Sequence, residues 1–144
     1  MATVDDFDQV VEQCQLALGE FVKGHPEPMQ MMFSHREDVT LANPIAPPAL
    51  GWEQVSATME RASSQVRDGE IYGFELVSKY VTPELAYIVW IERSKGKVGG
   101  REEIVLFPLR VTTIFRPEEG TWKIVHRHAD PITRIRSIES IIQE

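Results

Sequence analysis

Several features that would point to particular classes of protein are absent from this 144-residue sequence. It has a single cysteine, Cys14, which excludes an internal disulfide and is typical of a reducing compartment. No apolar run approaches the roughly 20 residues that a membrane-spanning helix needs, and the first residues lack the pattern of a signal peptide. The net charge of −7 gives no basic surface for nucleic acid. We therefore expect a cytoplasmic protein with no membrane and no nucleic-acid partner.

The sequence also lacks the short motifs that announce common cofactors and mechanisms. It has no glycine-rich phosphate loop, no Gly-x-Ser-x-Gly elbow and no Cys–His arrangement of recognisable spacing. The length suits one domain over residues 1–144. We expect no cofactor.

Apolar residues recur at helical spacing in three segments of the first half, over residues 7–22, 26–33 and 52–66. Gly24 and Gly69 follow the first and third segments, as expected beyond helix ends. The stretch VTLANP, over residues 39–44, separates the second and third segments and begins like a short strand. The first half is therefore predicted to contain three helices and one short strand.

The second half, over residues 71–130, has the pattern of four strands separated by turns. The turns are predicted at Pro83, at residues 96–100 and at residues 117–120. Consecutive strands joined by short turns pair antiparallel, so an α+β fold is expected, with the helices on one face of a curved sheet. Residues 85–91 are apolar on both faces, which favours contact of the outer sheet face with a second subunit. Such a sheet can leave an apolar pocket beneath the helices.

The segment TWKIVHRHADPI contains the densest group of chemically active side chains. Regular strand alternation assigns one face to Trp122, Ile124, His126, His128 and Asp130, and the other face to Lys123, Val125, Arg127 and Ala129. Residues two apart lie about 6–7 Å from each other, so Asp130 could orient His128 as a general base in the pocket. The alternative is that these residues line a strand end and satisfy one another without chemistry.

His126, His128 and Asp130 are residue types that zinc or iron accepts as ligands. A single strand, however, rarely aims three ligands at one point, and no second pair of histidines or cysteines supports a metal centre. We predict no metal.

Arg110 lies within an apolar run of the preceding strand and must be paired or solvated. Asp130 or a ligand carboxylate would be its natural partner. Pro108, which cannot donate a ladder bond, predicts a bulge or edge just before it. Trp90 on the strand before, and Trp52 at the start of the third helix, are candidate pocket residues, although both are also suited to the core.

The order of these elements resembles the nuclear-transport-factor-2-like superfamily over nearly the whole chain. The segments FSHREDVTLANP, GWEQV and LRVTTIFRPEEGTWKIVHRHAD are similar to those of SnoaL-like and ketosteroid-isomerase-like proteins. The resemblance implies a cone-shaped, cystatin-like α+β barrel: three N-terminal helices packed on a strongly curved, mostly antiparallel sheet. It also implies a ligand pocket and a homodimer formed through the exposed sheet face. It does not fix a function.

The ketosteroid isomerase pattern implies three catalytic positions that this sequence fills differently. Asn43, before Pro44, occupies the position of the proton-moving aspartate. A position near Ala17 matches the oxyanion tyrosine, and Arg110 matches the second oxyanion donor. An amide cannot accept a proton as a carboxylate does, so steroid isomerisation is disfavoured.

Three hypotheses follow from the sequence. The first is a small-molecule pocket protein that binds an acidic or carbonyl-bearing ligand. The second is a lyase, isomerase or hydrolase with His128 as general base and Asp130 as its orienting partner. The third is a non-catalytic dimerisation or interaction module. The ligand-binding positions predicted for this pocket are Asn43, Trp52, Trp90, Arg110 and His126.

Overall fold

A computed structural model describes residues 3–143 of the chain. Three α-helices precede most of a seven-stranded, mostly antiparallel sheet. The sheet curls around the helices without closing, as the predicted α+β architecture requires. The elements are α1 (Val4–Phe21), α2 (Glu27–Met32), β1 (Thr40–Ala42), β2 (Ala49–Leu50), α3 (Trp52–Ser64), β3 (Val66–Val81), β4 (Ala86–Val98), β5 (Val105–Leu106), β6 (Leu109–Glu118), β7 (Thr121–Asp130) and a 3₁₀ turn (Ile138–Ile141).

Helix α1 begins at a reciprocal cap, which explains its sharp start. The Asp6 backbone amide donates to the Thr3 hydroxyl and the Thr3 amide donates to the Asp6 carboxylate, each at 3.1 Å. The helix ends before Gly24, which has φ +95°. Gly69 fixes its distance from the sheet, since a Cβ there would lie 2.1 Å from the Val22 carbonyl oxygen. The carboxyl end of α1 therefore packs directly on β3.

The sheet order is β2-β1-β7-β6-β4-β3, with β5 pairing β4 at one end. The predicted turn at residues 117–120 is a hairpin whose two central residues, Glu119 and Gly120, have positive φ. Strand β1 pairs parallel with β7 and antiparallel with β2. It therefore places residues 43–45 beside the end of β7.

The core lies between the helices and the inner face of the sheet. Strand β4 alternates regularly between buried inner positions and half-buried outer ones. Large buried side chains on the inner side include Phe7, Phe33, Ile88, Trp90, Phe115 and Ile124. This burial fixes which sheet face meets the helices, because a register slip of one residue would expose the whole set.

Strand β7 has a bulge that interrupts its alternation. Ile124 pairs with Phe115 and His126 pairs with Ile114, so Val125 is an extra residue in β7. Before the bulge, Trp122 and Ile124 point inward and are buried. After it the inward positions are Arg127 and Ala129. The predicted single face from Trp122 to Asp130 is therefore wrong beyond Ile124.

Candidate functional site: a cavity beneath the helices

A cavity of about 290 Å³ lies between the helices and the inner face of the sheet. Its volume is at the lower end of the range for small-molecule sites. Most of its wall is apolar and comes from α1, α2, α3, β1 and β6. The apolar wall includes Leu18, Met29, Phe33, Leu41, Met59 and Leu109.

An ion pair forms part of the sheet side of this wall. The Arg127 guanidinium donates from Nη1 to Glu92 Oε2 at 2.8 Å and from Nη2 to Glu92 Oε1 at 2.9 Å. The side chains are 12% and 2% exposed. Both residues line the cavity from the inner face of the sheet, Glu92 on β4 and Arg127 on β7, with β6 between these strands. The pair is therefore bidentate, buried and part of the cavity wall.

Trp90 supports the ion pair from within the core. Its indole Nε1 donates to Glu92 Oε2 at 2.9 Å, so that oxygen accepts two hydrogen bonds. A buried ion pair is tolerated better when further hydrogen bonds stabilise its charges, and Trp90 supplies one such bond to Glu92. Glu92 is thus held rigidly by three donor groups.

The electrostatics around the pair keep Arg127 charged and Cys14 inert. Burial alone would lower the pKa of Arg127, but the adjacent Glu92 carboxylate raises it overall. Burial raises the pKa of the Cys14 thiol to about 12; Arg127 opposes this and Glu92 adds to it. Cys14 is therefore a core thiol without nucleophilic character.

Ser94 lies two positions beyond Glu92 on the inner face of β4 and also lines the cavity. The residue is 1% exposed. Its hydroxyl oxygen is buried and has no hydrogen-bond partner within residues 3–143. Such a group is costly, since an unsatisfied buried hydroxyl loses about 1–3 kcal/mol. The Ser94 hydroxyl is thus a hydrogen-bonding group at the cavity wall that the described part of the protein does not pair.

The mouth of the cavity is formed where β1 and β7 end. Pro44, Ile45 and Pro131 line the cavity and are exposed to solvent. Asn43 lines it as well, and its Oδ1 accepts a hydrogen bond from the Ile45 amide at 3.1 Å. This local turn fixes the amide at the rim.

The outer face of the sheet carries a second arginine–carboxylate pair. Arg110 donates from Nε and Nη2 to the two oxygens of Asp130, at 3.0 and 2.7 Å. His128 Nε2 lies 3.2 Å from Asp130 Oδ2. The Arg110 and His128 side chains are each 53% exposed, whereas Asp130 is 18% exposed. Asp130 thus contacts both neighbours, as expected from their types.

The titration of this outer group follows from its contacts. Partial burial opposes ionisation of Asp130, but hydrogen bonds from Arg110 and the Ile132 amide lower its pKa overall. His126 contacts the Thr40 hydroxyl at 2.7 Å through Nδ1. Burial lowers the pKa of His126, and the charge of His128 lowers it further. His126 therefore favours its neutral form.

The structure brings together only part of the predicted pocket. Among the described residues that line the cavity, Asn43 is the sole member of the predicted set. Trp90 lies behind the wall and binds Glu92, and Trp52 stacks on His35 with ring centroids 3.9 Å apart. The remaining predicted residues occupy the outer face: Arg110, His126, His128 and Asp130. The expectation that these four line the cavity is corrected by the bulge at Val125 and by the outward position of Arg110.

Four polar cavity residues were not predicted: Gln65, Glu92, Ser94 and Arg127. The sequence pattern contained a signal for Glu92 and Ser94. Trp90 shares the inner face of β4 with Ala86 and Ile88, and extending that alternation by two and four residues reaches Glu92 and Ser94. Arg127 had no such signal, because regular alternation assigns it to the opposite face from Ile124. Within residues 3–143 no group of three histidine, cysteine or acidic side chains is arranged to hold a metal ion. No described helix has the length and hydropathy needed to cross a membrane.

The fold and the cavity together define a class of α+β proteins with helices cupped by a curved sheet. Many solved structures share this fold, and three of them serve for comparison. They are a nuclear transport factor 2-like superfamily protein from Salmonella enterica (TM-score 0.75, 11% identity, 94% of each chain), a ketosteroid isomerase-like protein from Erwinia carotovora atroseptica (0.71, 11%, 88% of this chain and 94% of that one) and an uncharacterised protein with a cystatin-like fold from Caulobacter vibrioides (0.65, 17%, 90% and 89%). At these identities the likeness concerns the fold alone.

The family follows from the sequence itself. The SnoaL-like domain family matches residues 15–132, which is most of the chain. The chain therefore belongs to the SnoaL-like family, as its motifs indicated. No curated protein sequence matches it.

Proposed function

We propose that this protein binds a small, mostly apolar molecule in the cavity beneath its helices. The observation that supports this most is a cavity of about 290 Å³ with an apolar wall and a rim open to solvent at Pro44 and Pro131. A purely structural core would fill such a space, because interiors pack densely and voids are costly.

The charge of the wall favours a neutral ligand. The expectation of an acidic ligand depended on Arg110, which instead pairs with Asp130 on the outer face. The cavity has its own arginine, Arg127, but Glu92 neutralises it. A ligand carboxylate would have to compete with Glu92 for the same guanidinium. The carbonyl-bearing alternative is therefore the one we retain.

The test is a calorimetric titration with 1-naphthol, a neutral bicyclic molecule of suitable size. Ala62 lines the cavity from α3, whereas Ala57 is exposed on the same helix. Ala62→Leu should reduce the affinity by roughly tenfold, equivalent to about 1.4 kcal/mol. Ala57→Leu makes the same change outside the cavity and should leave the affinity unaltered. Absence of saturable binding by the unmodified protein, or equal affinities in the two variants, would contradict the proposal.

A second candidate is proton transfer by His128 as general base, oriented by Asp130. The 3.2 Å contact between them supports it. The strong engagement of Asp130 by Arg110 and the exposure of His128 weigh against it. The test is α-proton exchange of 2-tetralone in D₂O, followed by NMR. His128→Gln should abolish protein-catalysed exchange and His126→Gln should not; exchange no faster than in buffer would remove this candidate.

We also propose that the outer sheet face mediates a homodimer. Tyr87, Val89 and Ile91 alternate with the buried residues of β4 and point outward. Nearby, the segment after β7 exposes Ile135 and Ile138, extending the apolar surface. Such surfaces are typical of interfaces.

Sedimentation velocity tests this assembly. Val89→Glu should produce monomers, while Leu16→Glu, on the exposed side of α1, should leave the dimer intact. A monomeric unmodified protein at about 50 μM would contradict the proposal, since a dimer with a dissociation constant of about 1 μM or less would be assembled at that concentration. If the dimer persists but naphthol binding fails, the interaction-module hypothesis becomes the better account.

A further inference from the structure

Ser94 is a polar residue of the cavity wall whose hydroxyl makes no hydrogen bond to the described part of the protein. Its hydroxyl oxygen is buried and without a hydrogen-bond partner in the described part of the chain. Most buried polar groups in proteins are paired, so an exception calls for an explanation. Its position on the wall of a cavity supplies one, because a bound molecule can provide the missing partner.

We propose that the ligand carries one hydroxyl or carbonyl group, and that this group hydrogen-bonds the Ser94 hydroxyl. The inference rests on the binding function proposed above and specifies its chemistry. A serine hydroxyl both donates and accepts, so it pairs with either an alcohol or a ketone. The rest of the ligand is hydrocarbon, matching the apolar wall.

The neighbouring Glu92 carboxylate is not the recognition point, because both of its oxygens already accept hydrogen bonds from the protein. Glu92 Oε1 accepts from Arg127 and Oε2 accepts from Arg127 and Trp90. Breaking this network for a ligand would leave a buried charge without its partner. The ion pair is instead a rigid wall that flanks Ser94. The pair disfavours charged ligands, because Arg127 and Glu92 already neutralise each other. A ligand of either charge would have to compete with one of them for the other.

Thr113 provides a matched control within the same protein. Its Oγ1 is also buried and unpartnered among the residues described, and the residue is fully buried. It lies on β6 and is not part of the cavity wall. Ser94→Ala and Thr113→Val each delete one unpaired hydroxyl with almost no change in shape. Only the first removes a hydroxyl from a residue of the cavity wall.

The experiment compares the affinities of naphthalene, 1-naphthol and 1-naphthoate for the unmodified protein and both variants, by fluorescence titration. The unmodified protein should bind 1-naphthol roughly three- to tenfold more tightly than naphthalene, the usual size of one hydrogen bond. In Ser94→Ala this ratio should fall to about one or below, with naphthalene affinity retained. Thr113→Val should keep the full ratio. The naphthoate should bind most weakly throughout.

Each other outcome has a distinct meaning. An unchanged ratio in Ser94→Ala, or an equal loss in Thr113→Val, would overturn the role of Ser94 while leaving the binding function intact. Tightest binding of 1-naphthoate would also overturn it and would assign recognition to Arg127. If none of the three probes binds, the proposed function itself fails. Retained naphthalene binding shows that each variant is folded.

Discussion

Two arginine–carboxylate pairs lie on opposite faces of the sheet and differ mainly in burial. Arg127 and Glu92 face the cavity with 12% and 2% of their side chains exposed. Arg110 and Asp130 face outward, with 53% and 18% exposed. Both pairs are bidentate. Their geometry is alike, but the energetic consequence of breaking each pair differs, because solvent compensates a charge only on the outer face.

The two arginines also lie on the opposite faces from those that their neighbours in the sequence indicate. Arg110 lies in an apolar run and matches a catalytic position of the isomerases, yet it belongs to the outer surface. Arg127 lies among polar residues, yet it belongs to the cavity. One extra residue, Val125, reverses the phase of β7 and turns Arg127 inward. Arg110 faces outward by the regular alternation of β6. Local polarity is thus a poorer guide to the site than strand phase.

The largest effect is expected from breaking the inner pair. Arg127→Met leaves Glu92 buried without its cationic partner and should lower the free energy of unfolding by about 3–5 kcal/mol. Arg110→Met makes the same change on the outer face and should cost about 0–1 kcal/mol. Urea denaturation measures both. Equal losses would contradict the difference in burial on which the comparison depends.

Removing both inner charges should cost less than removing one. Glu92→Gln combined with Arg127→Met leaves no buried charge, and the glutamine still accepts from Trp90 Nε1. We expect at least about 1.5 kcal/mol of the single-variant loss to be recovered. A double variant as unstable as Arg127→Met, in the same denaturation series, would mean that lost packing rather than the unpaired charge dominates.

The outer pair should be detectable at acidic pH. Hydrogen bonds lower the pKa of Asp130 in the folded state, so its contribution is complete above the unfolded value of about 3.9. It is lost as the pH falls through the lower folded value. Asp130→Asn should therefore remove a small acid-dependent part of the stability, about 0.2–1 kcal/mol. Thermal unfolding from pH 6 to pH 2 tests this; parallel profiles would contradict it.

The smallest effect concerns His126. Burial lowers its folded pKa, so the unfolded chain binds more protons in the window just below about 6.5. Stability should then rise with pH through that window and level off above it. His126→Gln should flatten this rise. Melting temperatures between pH 5 and pH 8 provide the measurement. A rise that survives in His126→Gln would assign it to another group.

Much of the fold could be predicted from the sequence, because apolar periodicity is set by burial. The three helices, the short strand at Thr40 and the four long strands are confirmed. Strand β3 begins at Val66, five residues earlier than predicted. The prediction missed residues 66–70 because they are mostly polar and exposed and so show no apolar alternation. Strands β2 and β5 have two residues each, too few to show a period.

The site was less predictable, for a physical reason. Glu92 and Ser94 continue the inner alternation of β4 beyond Trp90, so the pattern contained them. Arg127 depends on the bulge at Val125, and valine suits a regular strand as well as a bulge. The Arg110–Asp130 pair and the His128–Asp130 contact were expected from residue types, but their face was not. The pairing of these side chains could be predicted from their residue types. The face of the sheet on which they lie depends on the strand register, which the sequence did not reveal.

The most direct test of the account is a crystal structure of the protein with 1-naphthol. The account predicts density for the rings in the cavity, between the helices and Ala129, with the hydroxyl within hydrogen-bonding distance of Ser94 Oγ. It also predicts an intact Glu92–Arg127 pair beside it. A probe bound on the outer face next to His128, or one whose hydroxyl displaces Glu92 from Arg127, would contradict it.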